Sequence, residues 1–131
     1  MLTPKDKDWQ FTLEDRIKEL STEQRVVFAI LCAKTVCADR KWNAWANKRL
    51  AGRSKRANTN QIEYSLSCRQ VKGWWQASDA TWTAEMLWKP VPHAGGADSC
   101  TRSAALNTAR SITLLNKNID FTPLLEKAKE K

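Results

Sequence analysis

Seven basic side chains and two tryptophans fall within the stretch "RKWNAWANKRLAGRSKR", Arg40 to Arg56, with no acidic residue among them. Lysine and arginine at this density suit one kind of chemistry, the neutralisation of anions. Phosphates of a nucleic acid are the leading target, because each contact releases condensed counterions. Indole rings add a second capability, since unpaired bases stack on them. Lys41, Lys48, Arg49, Arg53, Lys55 and Arg56 are therefore the first candidates for a site that meets nucleic acid or an acidic protein surface.

Catalytic chemistry has much less to work with. The single histidine, His93, lies in the Pro/Gly segment "KPVPHAGGAD", and no nucleophile elbow, phosphate-binding loop or paired-carboxylate spacing accompanies it. A loop histidine in solvent is the simpler reading, and the expectation is that the chain is not an enzyme. Metal binding fares no better. Cys32 and Cys37 are five apart on a presumed helix, which sends them to diverging faces, and no CxxC or HxxxH pair exists. No cofactor and no metal are expected. The four cysteines, Cys32, Cys37, Cys68 and Cys100, read as reduced and mostly buried thiols, because nothing in the sequence signals secretion.

The elements that must position the basic residues belong to a chain of 131 residues, 42% hydrophobic, which fits one domain spanning 1–131 with a modest core. Net charge is +8, and residues 34–56 carry nearly all of the excess, with eight basic residues against Asp39. The longest apolar run, "VVFAILCA", is far short of a membrane span, and "MLTPKDKDWQ" is too polar for a secretory signal. A soluble cytoplasmic protein without membrane contacts is the expectation.

Helix signals recur along the chain, and alternating strand patterns do not. "FTLEDRIKEL" offers Thr12 as an N-cap and places Leu13, Ile17 and Leu20 at helical spacing. "STEQRVVFAILCAKTVC" begins with Ser21 and Gln24 in capping-box spacing and is the most apolar segment, so it should be the central helix. In the basic stretch, Trp42, Trp45, Ala46, Arg49 and Leu50 fall on one side, with Gly52 placed to end the helix and Lys41, Lys48 and Arg53 toward the other side. "TNQIEYSLSCRQVKGWWQ" then forms a stripe through Tyr64, Cys68, Val71 and Trp75. "SDATWTAEMLW" follows with Ser78 or Asp79 as its cap, and "KPVPHAGGAD" is the clearest loop. Ala105, Ala109 and Ile112 mark another helix, and Thr122 with Pro123 opens the last one. The expected architecture is all-α, a single-domain bundle of six or seven short helices.

Two resemblances bear on function. "SLSCRQVKGWW" resembles the turn and recognition helix of a helix-turn-helix, with Leu66, Ser67, Val71 and Trp74 at the matching places, although Ser65 stands where that motif usually has glycine and Gln61 where it usually has alanine. The resemblance would aim Arg69, Gln70 and Lys72 at a DNA groove; the stripe from Tyr64 to Trp75 accounts for the same residues as one unbroken helix. More broadly, "VVFAILCAKTV", "KWNAWANKRLAGRS", "ANTNQIEYSLSCRQV", "ASDATWTAEMLW" and "AALNTAR" in that order resemble alanine-rich helical proteins of bacteria and phages, some of them described as immunity proteins. That likeness implies an all-α fold and a non-catalytic role. The chain departs from it by carrying large Trp side chains where that group often has alanine.

Two expectations about function result. In the first, this is a small binding protein of a phage or mobile element whose basic helix and loop, with Arg69 and Lys72, engage nucleic acid or a nucleic-acid-handling complex. In the second, it is a protein-binding inhibitor or immunity factor that uses exposed tryptophans as anchors. The first is preferred, because a factor that neutralises a basic nuclease toxin would be expected to be acidic.

Overall fold

The computed structural model describes residues 1–52, 71–88 and 95–131. Among them it forms six helices and no strand: α1 (Trp9–Glu19), α2 (Thr22–Lys34), α3 (Arg40–Leu50), α4 (Trp74–Trp88), α5 (Gly96–Ile112) and α6 (Thr122–Lys129). The fold is all-α, as the recurring caps and stripes imply.

α2 is the axis of the bundle. Its capping box is formed in full: Ser21 Oγ accepts from the Gln24 amide at 3.1 Å, and Gln24 Oε1 accepts from the Ser21 amide at 2.9 Å. Val26, Phe28, Ala29, Ile30, Cys32 and Ala33 are then fully enclosed by α4, α5, α6 and α3. A helix apolar on nearly every side has to be surrounded in this way, since any exposed face would leave hydrocarbon in water.

α4 and α5 run antiparallel. Gln76 Nε2 donates to the Ser111 carbonyl at 3.0 Å near one end, and Met86 packs with Cys100 and Ala104 near the other. Ala77, Ala80 and Ala84 on α4, with Ala105 and Ala109 on α5, keep the buried faces slim, so the backbones approach closely. The threonines in these faces keep their hydroxyls satisfied by donating to the carbonyl one turn back, as Thr81 does to Ala77 at 2.8 Å and Thr108 to Ala104 at 2.9 Å.

One buried cation ties three elements together. Arg25, 3% exposed, donates through Nε to the Ile17 carbonyl at 3.0 Å, through Nη2 to the Lys18 carbonyl at 3.2 Å, and through Nη1 to Asp98 Oδ1 at 2.8 Å. It thereby caps the end of α1 and meets the first turn of α5. The hydrogen bond and charge of Arg25 hold the Asp98 carboxyl below its usual range. The chain ends are fastened as well: the Leu2 amide donates to Asp120 Oδ1, the Phe121 amide donates to the Leu2 carbonyl, and Trp9 stacks on Phe121 at a centroid distance of 5.6 Å.

Several boundaries differ from the sequence reading. α1 begins at Trp9, so Thr12 is inside the helix rather than its cap. α4 begins at Trp74, so Ser78 and Asp79 lie within it and cap nothing. Residues 71–73 form a turn, which ends any stripe from Tyr64 before it could reach Trp75. Thr122 is the first residue of α6, with Phe121 in the capping position. Cys32, Cys37 and Cys100 are buried, as expected, and burial pushes the Cys32 thiol well above its ordinary value; Cys68 lies outside the described residues.

Candidate nucleic-acid interface

The basic helix forms because both of its ends are specified locally. The Asp39 carboxylate accepts from the Trp42 amide at 2.9 Å and so satisfies an orphan donor of the first turn. At the other end Gly52 turns the chain with φ +74°, and its amide donates to the Arg49 carbonyl. Between these ends Trp42, Trp45, Ala46 and Arg49 are buried, and the Trp42 indole donates to Thr81 Oγ1 of α4 at 3.0 Å. Fixing that face leaves Lys41 and Lys48, seven residues apart, together on the exposed face with Ala44 between them, while Arg40 emerges at the first turn.

Lys72 reaches this helix from a distant part of the sequence. The turn at 71–73 docks on the link between α2 and α3, where a Cβ placed on Gly73 would lie 2.7 Å from the Val36 carbonyl oxygen and 3.0 Å from the Cys37 Cα. Glycine is required twice over at this position, because φ is also +79°. This close approach sets Val71 and Lys72 opposite the start of α3. Between them is an open depression of about 580 Å³ lined by Ala38, Asp39, Arg40, Lys41, Val71 and Lys72. Its one acidic residue, Asp39, is buried and engaged with the helix amide. Among the described residues no ion pair ties up Arg40, Lys41, Lys48 or Lys72. Three unpaired cations around a shallow opening make a region of positive potential that attracts phosphate or carboxylate groups.

One candidate has to be withdrawn from this set. Arg49 is 3% exposed and lies on the buried face of α3, where it holds Glu23 in a bidentate pair with Nη2 to Oε2 at 2.9 Å, and its Nε has no partner. The reason is its spacing, four and seven residues after the buried indoles Trp45 and Trp42, which turns it toward α2. Its charge is committed to Glu23 and serves cohesion between α2 and α3. Lys41, Lys48 and Lys72 are exposed, whereas Arg53, Lys55, Arg56 and Arg69 lie outside the described residues. Arg40, which the sequence reading left out of the site, joins Lys41 and Lys72 at the depression.

The helix-turn-helix reading does not survive in its described part. A recognition helix would have to run unbroken through Val71 and Trp74, and the left-handed Gly73 interrupts it there. Leu66, Ser67, Arg69 and Gln70 lie outside the described residues. Lys72 keeps a place at the surface by a different route, the docked turn.

Five of the seven tryptophans fall into two groups. Trp42 and Trp45 are core, in contact at a centroid distance of 6.2 Å. Trp74, Trp75 and Trp82 are exposed on α4, at 36%, 56% and 49%. Side-chain type gave no way to separate these groups before the helix packing was known. Elsewhere, among the described residues, no group of three His, Cys, Asp or Glu side chains could hold a metal ion, and no helix is long and apolar enough to cross a membrane. His93 lies outside the described residues. No protein-family model, curated protein or solved structure matches the chain.

Proposed function

We propose that this chain is a non-enzymatic nucleic-acid-binding protein of a phage or mobile element, whose contact surface is the start and exposed face of α3 together with the turn at Lys72. The observation that carries the reading is the arrival of Lys72 beside Arg40 and Lys41, with no ion-pair partner for any of them among the described residues, on a surface held by a capped helix and a glycine-fixed turn. Cations scattered over a solvated face would support nothing of the kind, since they need no such placement. The test is a fluorescence-anisotropy titration of labelled oligonucleotides over a range of salt, with wild type and the Lys41→Ala/Lys72→Ala variant. The variant should fold normally, bind more weakly, and show a salt slope shallower by about two phosphate contacts, at ~0.9 each on a duplex. Wild-type binding weaker than about 100 μM at near-physiological salt would end the proposal, because even non-specific binders usually exceed that.

A second reading, a protein-binding inhibitor or immunity factor, draws on a different surface. Trp82 is half exposed beside Ser99, Ser103 and Asn107, and Leu114 and Leu115 are exposed just after α5. Apolar and aromatic anchors of this kind are common at the centre of protein interfaces. Capture of a partner that survives nuclease treatment, and is lost on replacing Trp82 with Ala, is its expected outcome.

A further inference from the structure

Trp74 and Trp75 follow Lys72 by two and three residues, across the glycine that presses against Val36 and Cys37. Arg40 and Lys41 are three and four residues past Cys37, so the cations and both indoles branch from backbone within roughly 14 Å of one contact. The direction of Trp74 is set by helix geometry. It precedes Thr81 by seven residues and so shares its face of α4, and Thr81 is the residue that receives the Trp42 indole hydrogen bond from α3. Trp74 therefore lies on the side of α4 turned toward α3, about 10 Å nearer the helix start than Thr81, at the end where the basic depression opens. Trp75 is rotated further toward solvent and is the more exposed of the two. The acidic residues of α4, Asp79 and Glu85, come later in the helix, and Asp79 turns to Ser111 of α5. Asp79 is thus one turn past Trp75, with its carboxyl directed to α5, and Asp39 at the depression is engaged with the Trp42 amide.

Exposed indoles beside unpaired cations suit a ligand that offers negative charge and a bare aromatic face together. A duplex offers the charge and hides its base faces within the stack. A protein hot spot would favour an apolar surround, with charge depleted at its centre. We propose that Trp74 and Trp75, standing beside Arg40, Lys41 and Lys72, form a stacking platform for unpaired bases, so that the ligand is single-stranded nucleic acid. This rests on the nucleic-acid reading of the same surface. In it the cations supply sequence-independent attraction to the backbone, and the indoles supply the preference for unpaired strands.

The experiment compares a labelled oligothymidylate of about 16 nucleotides, at the upper end of single-module site sizes, with a duplex of equal length, by anisotropy at several salt concentrations on the full chain. Wild type should favour the single strand. Trp74→Ala/Trp75→Ala should lose about five- to a hundred-fold in affinity per stacked base on the single strand, with duplex affinity and salt slope unchanged. Lys41→Ala/Lys72→Ala should weaken both ligands and flatten both slopes. Trp75→Phe, which keeps an aromatic face, should retain most of the single-strand preference that Trp75→Ala loses. That single-site pair decides the matter even if the double variant folds poorly. Binding that is equal on both ligands and indifferent to Trp75→Ala would overturn the platform and leave the basic surface standing. Failure of wild type to bind either ligand would remove both.

Discussion

Replacing Gly73 with Ala tests the contact on which the whole surface depends. The substitution adds one methyl group at a left-handed residue, with φ +79°, and puts it 2.7 Å from the Val36 carbonyl oxygen and 3.0 Å from the Cys37 Cα. Two costs combine. The left-handed conformation costs a non-glycine residue about 1–2 kcal/mol, and forcing apart packed atoms costs typically ~1–3 kcal/mol. The neighbours here are backbone, which has no rotamer to escape into, so Gly73→Ala should destabilise the protein by about 2–5 kcal/mol. Gly52 supplies the control. Its φ is +74° and an added Cβ meets nothing within 4 Å, so Gly52→Ala should cost only the conformational part, about 1–2 kcal/mol. Urea unfolding followed by far-ultraviolet circular dichroism measures both variants, and equal m-values would show that their difference is one of stability. Equal losses would refute the reasoning, because the close approach of the turn to Val36 would then carry no energetic consequence. A second readout follows from the same displacement. Where Gly73→Ala remains folded, Lys72 is moved from Arg40 and Lys41, and nucleic-acid affinity should fall further than with Gly52→Ala.

Two other variants probe groups that the fold has buried. Arg49→Met keeps much of the side-chain volume and removes a cation whose Nε has no partner, while the half-exposed Glu23 can return to water; stability should stay within about 1 kcal/mol of wild type. Since Arg49 is not at the surface, affinity for oligonucleotides and its salt slope should also be unchanged in titrations run alongside Lys41→Ala, and a matching loss of affinity would return Arg49 to the site. Asp79 is raised above its ordinary range by burial, an effect that a hydrogen bond to Ser111 opposes in part. A folded pKa above the unfolded one means that the stability it contributes is complete below the unfolded value near ~4 and is lost as pH rises through the folded value. Asp79→Asn should therefore be more stable than wild type at pH 7, with the difference closing below about pH 4, in thermal melts across that range. A variant less stable than wild type at pH 7 would contradict this cause of the shift.

What the sequence made legible is what local spacing decides. The Ser21 and Gln24 capping box, the buried side of α3 through Trp42, Trp45 and Ala46, and the stripe of Ala105, Ala109 and Ile112 all depend on residues within one or two turns of each other. Arg49 was misjudged, and Arg25 was not singled out at all, because their partners are remote. Asp98 is 73 residues from Arg25, and Glu23 is 26 from Arg49. Helical spacing already puts Arg49 on the side of Trp42, Trp45 and Ala46, but nothing near either arginine in the chain supplies the partner with which its charge is enclosed. Gly73 was read as the interior of a helix because the apolar residues around it keep helical spacing, and only its contact with Val36 and Cys37 gives the position its meaning. The start of α4 moved for the same reason. Arg40 escaped notice as a site residue because its neighbour across the depression, Lys72, comes from beyond a long intervening segment.

The arrangement of anchors and contacts also bears on how tightly such a surface can bind. Association costs the freedom of every group it orders, and a loop that must be fixed on binding adds the cost of its backbone. Here Lys41 and Lys48 stand on a helix whose opposite face is fastened by Trp42, Trp45 and Arg49, and Lys72 stands on a turn held against the end of α2. Only side-chain rotamers remain to be ordered in this part of the surface. Anchor residues and contact residues should then leave different signatures when they are altered. Loss of an anchor's bulk, as in Trp45→Ala or Arg49→Ala, changes position, so it should lower stability and affinity together, whereas Arg49→Met keeps the bulk and should spare both. Loss of a contact cation changes charge, so it should spare stability and flatten the salt dependence. Arg49 belongs with the anchors and Lys41 with the contacts, although both are basic, eight residues apart, and on the same helix. Burial, which turns on the side of the helix each one occupies, makes the difference between them.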